Sequence, residues 1–256
     1  MAIARFRFHA ELNDFLPPQR RERRFAYPFD RQAAIKDAIE ALGVPHPEVD
    51  IILVDGASMA FDYRLRDGDR VDVYPADVAM PVIAPHHLRP SLPHPLRFLL
   101  DVHLGRLARY LRLLGFDCRY RNHAGDAELA AQAEREGRIL LTRDRNLLKR
   151  KRVALGRCVR ADDPFVQLEE VARAFALLDE LAPFTRCTRC NGRLEAVDKA
   201  AVDHRLEPLT RRYVDTFLQC EACGQVYWHG SHVPRMETLV ERLRQRLEMP
   251  AHQPPQ

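Results

Sequence analysis

Five aspartates follow apolar, strand-like runs or begin the predicted helices between them: Asp101, Asp126, Asp144, Asp162 and Asp163. In a parallel sheet, functional side chains collect at the carboxyl ends of the strands, so these acids are expected at one edge. Clustered carboxylates repel one another unless a cation lies between them, and oxygen ligands suit Mg²⁺ or Mn²⁺. The pattern predicts a Mg²⁺ or Mn²⁺ site on Asp101, Asp126 and Asp144, of the kind that activates water for phosphodiester hydrolysis.

Each acid also has a purely structural interpretation. Asp126, Asp162 and Asp163 stand where a helix N-cap is wanted, and Asp144 precedes a short predicted helix. Asp101 is the hardest to explain in this way, because it ends the apolar run FLL, where a bare buried carboxylate is costly. The recurrence of acids at successive strand ends favours the metal site over capping alone.

Basic residues surround this acidic set. Residues 97–152 carry 14 Lys and Arg against seven Asp and Glu, whereas the whole chain has a net charge of only +4. This concentration of positive charge indicates a polyanionic partner, bound through phosphate contacts that do not read sequence; the alternative is a solvated arginine-rich face. The residues predicted to contact phosphates are Arg106, Arg109, Arg112, Arg143, Arg145, Lys149 and Arg150.

Four of the six cysteines form two CxxC pairs, CTRC and CEAC, and a glycine follows each pair closely. Two separate pairs, in a chain that shows no secretion signal, favour metal over disulfide or redox chemistry. Four thiolates complete a closed tetrahedral shell with no position for water, as in structural zinc sites. We therefore predict a structural Zn²⁺ bound by Cys187, Cys190, Cys220 and Cys223.

Strand-like and helical patterns alternate after residue 97. The runs RFLLDV, FDCRY, RILLT and RCVR are typical of buried strands, and the leucine spacing in HLGRLARYLRLLG predicts a helix closed by Gly115. Such alternation implies a parallel sheet with right-handed crossovers. The predicted fold class is α/β: a parallel sheet with flanking helices over residues 97–183, then a zinc ribbon and a C-terminal helix over 184–248.

The first 80 residues follow a different order, strand–strand–helix–strand–strand, which fits a small α+β β-grasp domain. The segment LRDGDRVDVYPADV resembles the last strand of ubiquitin-like sulfur carriers, but the chain continues beyond it without the terminal Gly-Gly on which carrier chemistry depends. We interpret residues 1–80 as a ubiquitin-like module for binding or scaffolding, with a possible protein partner.

The remaining segments are predicted to connect or extend these domains. Residues 81–96 are proline-rich and are predicted to form an extended linker, and residues 249–256 a disordered tail. No apolar run reaches the ~18 residues that a membrane span needs, and the N-terminus lacks the apolar core of a signal peptide. We expect a cytoplasmic protein without a membrane partner.

Four motifs in combination resemble a known family. FLLDVHLGRLARYLRLLGFD, ILLTRDRNLL, CTRCNGRL and CEACGQVYWHGSHVPRM are similar to the PIN-like ribonuclease family named for the C-terminal domain of mutator-seven exonuclease, over residues 97–240. The module ahead of them resembles the ubiquitin-like domain often fused to bacterial members. The resemblance implies a PIN-type fold, metal-dependent RNA cleavage and a zinc ribbon.

The resemblance also places the acids. Asp101, Asp126 and Asp144 fall on the positions of the family's acids, and Asp162 or Asp163 on the fourth. Where the family has an acidic pair after the first strand, this chain has Asp101-Val102, so one carboxylate is missing. A second metal ion would accordingly be held less tightly.

Two functions are kept open. The preferred hypothesis is a Mg²⁺- or Mn²⁺-dependent ribonuclease, in which carboxylates hold the metal and arginines orient the RNA backbone. The alternative is a non-catalytic RNA-binding adaptor that uses the zinc ribbon, with the β-grasp module docking a protein partner. A sulfur-transfer role for the module is disfavoured by the missing Gly-Gly terminus.

Overall fold

A computed structural model describes residues 1–30, 33–76, 86–228 and 232–248 of the 256-residue chain. The chain divides into two compact units, each built from two segments: Met1–Pro93 with Gly125–Cys158, and His94–Ala124 with Val159–Gln256. Residues 77–85, which include the first five residues of the linker predicted at 81–96, and the predicted tail at 249–256 lie outside the described residues. Within the described ranges, no helix combines the length and the apolar character needed to cross a membrane.

Strands and helices are numbered in chain order within the described residues. The strands are β1 (Ala2–Phe8), β2 (Phe25–Phe29), β3 (Ile51–Val54), β4 (Ala57–Ser58), β5 (Arg70–Tyr74), β6 (Arg97–Leu100), β7 (Asp117–Tyr120), β8 (Ile139–Thr142), β9 (Gly156–Cys158), β10 (Leu194–Val197), β11 (Phe217–Cys220) and β12 (Val226–Trp228). The helices are α1 (Ile35–Ala41), α2 (Gly105–Leu113), α3 (Asp126–Glu136), α4 (Arg145–Leu148), α5 (Pro164–Ala174), α6 (Lys199–Val202), α7 (Pro208–Tyr213) and α8 (His232–Glu248).

The N-terminal segment is a five-stranded mixed sheet covered by α1. The strand order is β2-β1-β5-β3-β4, with β1 and β5 parallel and the other pairs antiparallel. Strand β1 alternates as a half-buried strand should, with Phe6 and Phe8 in the core and Arg5 and Arg7 exposed. This arrangement confirms the predicted β-grasp module.

The same unit contains a second set of elements, α3, β8, α4 and β9. Strands β8 and β9 pair in parallel, with Leu140 opposite Gly156 and Thr142 opposite Cys158. All four residues of β8 are buried, as a strand covered on both faces requires. Helix α3 ends at Glu136, because Gly137 adopts the left-handed conformation with φ 58° that closes a helix.

The second unit begins with β6, α2 and β7. Strands β6 and β7 also pair in parallel, so the predicted parallel α/β architecture is confirmed. Helix α2 buries Leu107 and Leu111, and an aromatic cluster closes the core, with Phe98 packing edge-on against Phe116 and Phe175 at ring distances of 5.8 and 5.7 Å.

The C-terminal part of this unit is a small antiparallel sheet followed by a helix. The sheet order is β10-β11-β12, and a separate small core of Val202, Leu206, Phe217 and Val226 lies beside it. Helix α8 packs against α5, where Arg246 forms an ion pair of 2.6 Å with Glu169. The predicted ribbon and C-terminal helix are therefore both present.

Two helix boundaries differ from expectation. The sequence after Asp162-Asp163-Pro164 predicts a long helix to about Leu181, but α5 ends at Ala174, because Ala176 adopts a left-handed conformation with φ 47° and a 3-10 turn follows over Leu177–Glu180. Asp126 is the first residue of α3 and Gly125 is its N-cap, so the carboxylate of Asp126 does not cap that helix.

Candidate active site and metal centre

Asp144 lies in the turn between β8 and α4 and is held by two short hydrogen bonds. Its Oδ1 accepts the backbone N–H of Asn146 at 2.7 Å, and its own N–H donates to Oγ1 of Thr142 at 2.9 Å. Asp144 therefore does cap α4. This cap does not exclude metal binding, because a carboxylate offers about four lone-pair positions and the cap uses one of them.

Asp126, in the same unit, stands at the start of α3 and is about half exposed. Its Oδ2 lies 3.5 Å from Nη2 of Arg150, which is also about half exposed. An exposed ion pair at this distance contributes little stability. Arg150, predicted to contact phosphate, thus lies beside one of the predicted metal ligands.

Asp101, in the second unit, directly follows β6 and is only 6% exposed. Its Oδ1 accepts the N–H of His103 at 3.4 Å, which caps the 3-10 turn Val102–Leu104. A bond of this length is a weak cap. The burial of Asp101 at the carboxyl end of a parallel strand agrees with the placement that its sequence position predicted.

Asp162 and Asp163 precede α5 and differ in their contacts. Oδ1 of Asp163 accepts the N–H groups of Phe165 at 2.8 Å and Val166 at 3.1 Å, which makes Asp163 a regular N-cap. Asp162 is exposed beside it. Asp163 therefore caps α5, as the capping interpretation of its sequence position predicts.

The five acids are divided between the two units. Asp126 and Asp144 belong to the first, and Asp101, Asp162 and Asp163 to the second. In both units, an acid follows the carboxyl end of a strand that pairs in parallel, Asp101 after β6 and Asp144 after β8. Their convergence on one metal ion stays a prediction.

Glu170 closes the loop that carries Asp162, and nothing in the sequence pattern indicates this role. Its two carboxylate oxygens accept the backbone N–H groups of Arg160 at 2.9 Å and Ala161 at 3.1 Å. Gln167, one turn of α5 earlier, donates to the carbonyl of Ala161 at 2.9 Å. Both residues occupy ordinary helix positions, so only the fold reveals that they hold this loop.

Five of the predicted phosphate-binding arginines are exposed: Arg106, Arg109, Arg143, Arg145 and Arg150. Arg106 and Arg109 are exposed on α2, on the side away from the buried Leu107 and Leu111. Arg143 is exposed in the turn beside Asp144. Their exposure agrees with the predicted role.

Arg112 is predicted by its sequence position to contact phosphate together with these arginines. It is buried, so that prediction is wrong. Its Nε donates to the carbonyl of Cys118 at 2.9 Å, and its Nη1 to the carbonyls of Thr188 and Arg189 at 3.3 and 3.1 Å. The side chain lies on the leucine face of α2 and not on the arginine face. Arg112 is therefore excluded from the proposed RNA contacts, because its donors are committed to the protein interior.

Arg145 and Lys149 bind carbonyl oxygens of the β-grasp module. Nη1 of Arg145 donates to the carbonyl of Phe15 at 3.2 Å, and its guanidinium lies 5.0 Å from the centre of the Phe15 ring. Nζ of Lys149 donates to the carbonyl of Glu40 at 2.7 Å. Neither contact follows from the sequence, whose charge pattern assigns both residues to RNA.

The four CxxC cysteines gather into one cluster, as predicted. Their sulfurs all lie within 4.8 Å of one another, and no other such group of three or more His, Cys, Asp or Glu ligands occurs among the described residues. Sγ of Cys187 is 3.7 Å from that of Cys223, and Sγ of Cys190 is 3.4 Å from that of Cys220. Zinc–sulfur bonds of about 2.3 Å in a tetrahedron place sulfurs about 3.8 Å apart, so the quartet fits Zn²⁺.

The thiols of the cluster differ in acidity. At Cys187, burial is opposed by hydrogen bonds from Tyr227 and from the backbone of Cys190 and Arg189, and the pKa falls to about 7. Burial raises the pKa of Cys190 to about 12 and also raises that of Cys223. A bound cation would supply the charge that lets all four ionise.

The turn that carries the first CxxC pair, Cys187 and Cys190, is called here the first cysteine knuckle, and it requires a glycine after it. A Cβ atom at Gly192 would lie 2.7 Å from Sγ of Cys220 and 2.8 Å from Cβ of Ala222. Both contacts are too close for any side chain, so the backbone can approach the sulfurs only without one. The glycine that follows the first CxxC pair in the sequence has this physical cause.

Asn191 fastens the knuckle to β7. It adopts a left-handed conformation with φ 72°, its Oδ1 accepts the N–H of Cys118 at 2.8 Å, and its Nδ2 donates to Oδ1 of Asp117 at 2.7 Å. Together with Arg112, it joins the ribbon to the α/β part of the same unit.

A cavity of about 310 Å³ lies beside the ribbon. Its wall combines aromatic rings with a guanidinium and polar groups: Leu113, Phe184, Arg186, Thr188, Leu194, Gln225, Val226, Tyr227 and Trp228. Phe184 has φ 60°, a strained conformation for a bulky residue. An aromatic wall with a neighbouring arginine is the kind of surface on which a nucleobase stacks.

Two family models match the chain. The model described as Mut7-C RNAse domain matches residues 96–240, more than half of the chain, and the model described as Mut7-C ubiquitin matches residues 1–80. These matches confirm the resemblance found in the sequence motifs. Comparisons with curated proteins and with solved structures gave no significant match.

Proposed function

Because the chain belongs to the Mut7-C RNAse domain family and its first 80 residues match the Mut7-C ubiquitin model, we propose that it is a Mg²⁺- or Mn²⁺-dependent ribonuclease. The observation that carries the metal site is Asp101, a carboxylate 6% exposed at the carboxyl end of a parallel strand. A carboxylate at this position lies where the functional groups of parallel sheets collect, and a bound cation would offset the cost of its burial.

The proposed metal ligands are Asp101, Asp126 and Asp144. The turn that carries Asp144 is closed by its own cap bond of 2.7 Å, so this carboxylate is oriented before any ligand binds. Asp162 and Asp163 are both proposed as candidates for the fourth acid, and Asp163 is the one that also caps α5 by accepting two backbone N–H groups. When bound, Mg²⁺ or Mn²⁺ supplies a water ionised near neutral pH and stabilises charge on the phosphoryl oxygens.

RNA is proposed to lie along the exposed arginines of α2. Arg106 and Arg109 recur three positions apart, and Asp101 precedes that helix by one 3-10 turn. Contacts from these residues to phosphates would orient the backbone without sequence preference. The cavity lined by Trp228 and Arg186 offers an unpaired base a stacking surface in the same unit.

The proposed domain division follows from these roles. Residues 1–80 form the ubiquitin-like domain, 81–96 the linker, 97–183 the RNase domain, and 184–248 the zinc ribbon with its C-terminal helix. The ribbon is proposed to hold structural Zn²⁺ through its four cysteines, because four thiolates leave no open position for catalysis.

The alternative function is an RNA-binding adaptor without catalysis. The missing second carboxylate after Asp101, where Val102 stands, favours it. In that case the ribbon and arginines would bind RNA, and the ubiquitin-like domain would dock a protein partner.

A cleavage assay separates the two functions. The purified full-length chain is incubated with single-stranded and structured RNA in Mn²⁺, Mg²⁺ or EDTA, and RNA binding is measured in parallel. The ribonuclease predicts cleavage that EDTA abolishes. The adaptor predicts binding that weakens with salt, does not respond to EDTA and produces no cleavage.

A further inference from the structure

The β-grasp module contacts the turn that carries Asp144 at both ends of α4. Arg145, at the start of this one-turn helix, donates to the carbonyl of Phe15, and Lys149, just after its end, donates to the carbonyl of Glu40. Both bonds lie within the first compact unit. The short segment between Asp144 and Lys149 is thus fastened to the module on either side.

The acceptors are suited to cations. Phe15 ends the 3-10 turn Ala10–Phe15, and Glu40 lies in the last turn of α1. Carbonyls at such C-terminal ends carry partial negative charge, and the carbonyl of Glu40 accepts Lys149 in addition to the backbone N–H of Gly43 at 3.1 Å. A basic residue placed there is stabilised without a carboxylate, and the cation–π contact of Arg145 with the Phe15 ring adds to the first of these bonds.

A third contact covers the free edge of β9. Glu48 of the module is 5% exposed, its Oε1 accepts the backbone N–H of Cys158 at 2.5 Å, and its Oε2 accepts Nη1 of Arg157 at 2.9 Å. Glu11 accepts from the same Nη1 at 3.1 Å. Strand β9 ends its sheet, and an edge strand presents N–H groups that otherwise need water or another chain.

We propose that the ubiquitin-like module is a built-in positioning element of the ribonuclease site. Lys149 and Arg145 act as positioning residues for Asp144, and they are not phosphate ligands. Glu48 holds the neighbouring edge strand in register with β8. This inference rests on the proposed function for its catalytic consequence, whereas its structural part rests on the contacts of Arg145, Lys149 and Glu48 alone.

The shortness of α4 explains why such a clamp is needed. A helix of four residues has no cooperative stability of its own. Two buried leucines, Leu147 and Leu148, hold its apolar side, and the contacts of Arg145 and Lys149 would hold the polar ends beside the cap bond from Asn146 to Asp144. The module supplies these contacts through the carbonyls of Phe15 and Glu40, which are not among the proposed RNA-binding groups.

The test compares Lys149→Met with Lys151→Met in the full-length chain. Methionine keeps the apolar stem and removes the charge and its donors, and Lys151 is an exposed lysine two positions further along. Hydrogen exchange is followed at the amides of 143–149, and cleavage is measured at saturating RNA in Mn²⁺. The RNA affinity and its salt dependence are measured beside them.

We expect Lys149→Met to speed exchange of the Asn146 amide about tenfold, since a hydrogen bond to a charged group holds the turn closed by about that factor. The turnover rate should fall, while RNA affinity and its salt slope stay as in the unmodified chain. Lys151→Met should leave exchange and turnover unchanged. Unchanged exchange together with weaker, less salt-dependent RNA binding in Lys149→Met would overturn the proposal.

The exchange result does not depend on catalysis. If the unmodified chain cleaves no RNA, the proposed function fails, but faster exchange in Lys149→Met still supports the clamp. A second pair of variants, Glu48→Gln and Glu11→Gln, tests a separate contact of the module, so the proposal can still be judged if Lys149→Met fails to fold. Only the first should speed exchange at Cys158, and equal exchange in both would contradict the role of Glu48.

Discussion

Nη1 of Arg112, on α2, donates to the carbonyl oxygen of Thr188, inside the first cysteine knuckle, at 3.3 Å. The same nitrogen reaches the carbonyl of Arg189 at 3.1 Å, and Nε is occupied by Cys118. A buried guanidinium therefore ties the knuckle backbone to the α/β part of its unit. The ribbon is thereby held against the α/β part of the same compact unit.

Arg112→Met should destabilise the protein by about 2–3 kcal/mol, because three carbonyls lose a charged donor in the interior. Zinc release to a chelator should also become faster, since two of these carbonyls belong to the knuckle. Arg109→Met, three positions earlier and exposed, should change stability by no more than about 0.5 kcal/mol. Thermal denaturation and chelator kinetics measure both effects. An Arg112→Met protein of normal stability with impaired RNA binding would contradict this structural role and show that Arg112 contacts RNA.

The double variant Arg106→Gln/Arg109→Gln should bind RNA with a weaker salt dependence. Two lost phosphate contacts lower the slope of log affinity against log salt by about 1.4, given about 0.7 per contact on single strands. Titrations at several salt concentrations measure this slope. A reduced affinity with an unchanged slope would show that these arginines do not contact phosphates.

Zinc content provides a third prediction. The unmodified chain should carry about one zinc per molecule, and Cys190→Ser should lose it together with the packing of the ribbon. Cys158→Ala serves as control, because Cys158 is buried in β9 and is not one of the four clustered cysteines. Metal analysis after purification decides the outcome. Full zinc retention in Cys190→Ser would refute the four-thiolate site.

The stability of the β-grasp module should depend on pH through Asp72. Burial acts to raise the pKa of this carboxyl, but hydrogen bonds from Arg24 and His9 outweigh it and lower the pKa below its ordinary value. A lowered folded-state pKa means that the ionised carboxyl stabilises the fold above the unfolded-state pKa, and that this contribution disappears as pH falls through the folded-state value.

Asp72→Asn should therefore cost about 1–2 kcal/mol near pH 5 and progressively less below about pH 4. Denaturation curves of both proteins across this range show whether the difference shrinks. A difference that stays constant down to about pH 2 would mean that Asp72 stabilises the sheet by packing and not by charge.

Much of the fold could be predicted from sequence because its patterns are local. Each of three patterns indicates a single strand or helix: the alternation around Phe6 and Phe8, the leucine spacing of α2 and the glycine after α3. Each CxxC pair is equally local, since it supplies two of the four ligands within four residues. These features need no knowledge of which elements meet.

The departures arise from long-range packing. Arg112 occurs three positions after Arg109, and nothing in that spacing shows that its side chain turns into the protein toward Thr188. Charge alone assigns Arg145 and Lys149 to RNA, whereas their acceptors, at Phe15 and Glu40, lie more than a hundred positions earlier. Glu48 resembles an ordinary surface residue in the sequence for the same reason.

The most direct test of the ribonuclease is the single-turnover rate of RNA cleavage by Asp144→Asn in Mn²⁺, with Asp198→Asn as control. Asparagine caps a helix as well as aspartate does, so α4 keeps its cap while the metal-binding charge is removed. Asp198 is an exposed cap without a side-chain bond. The account predicts a loss of at least about a hundredfold in Asp144→Asn and none in Asp198→Asn. Equal cleavage by both variants would contradict it.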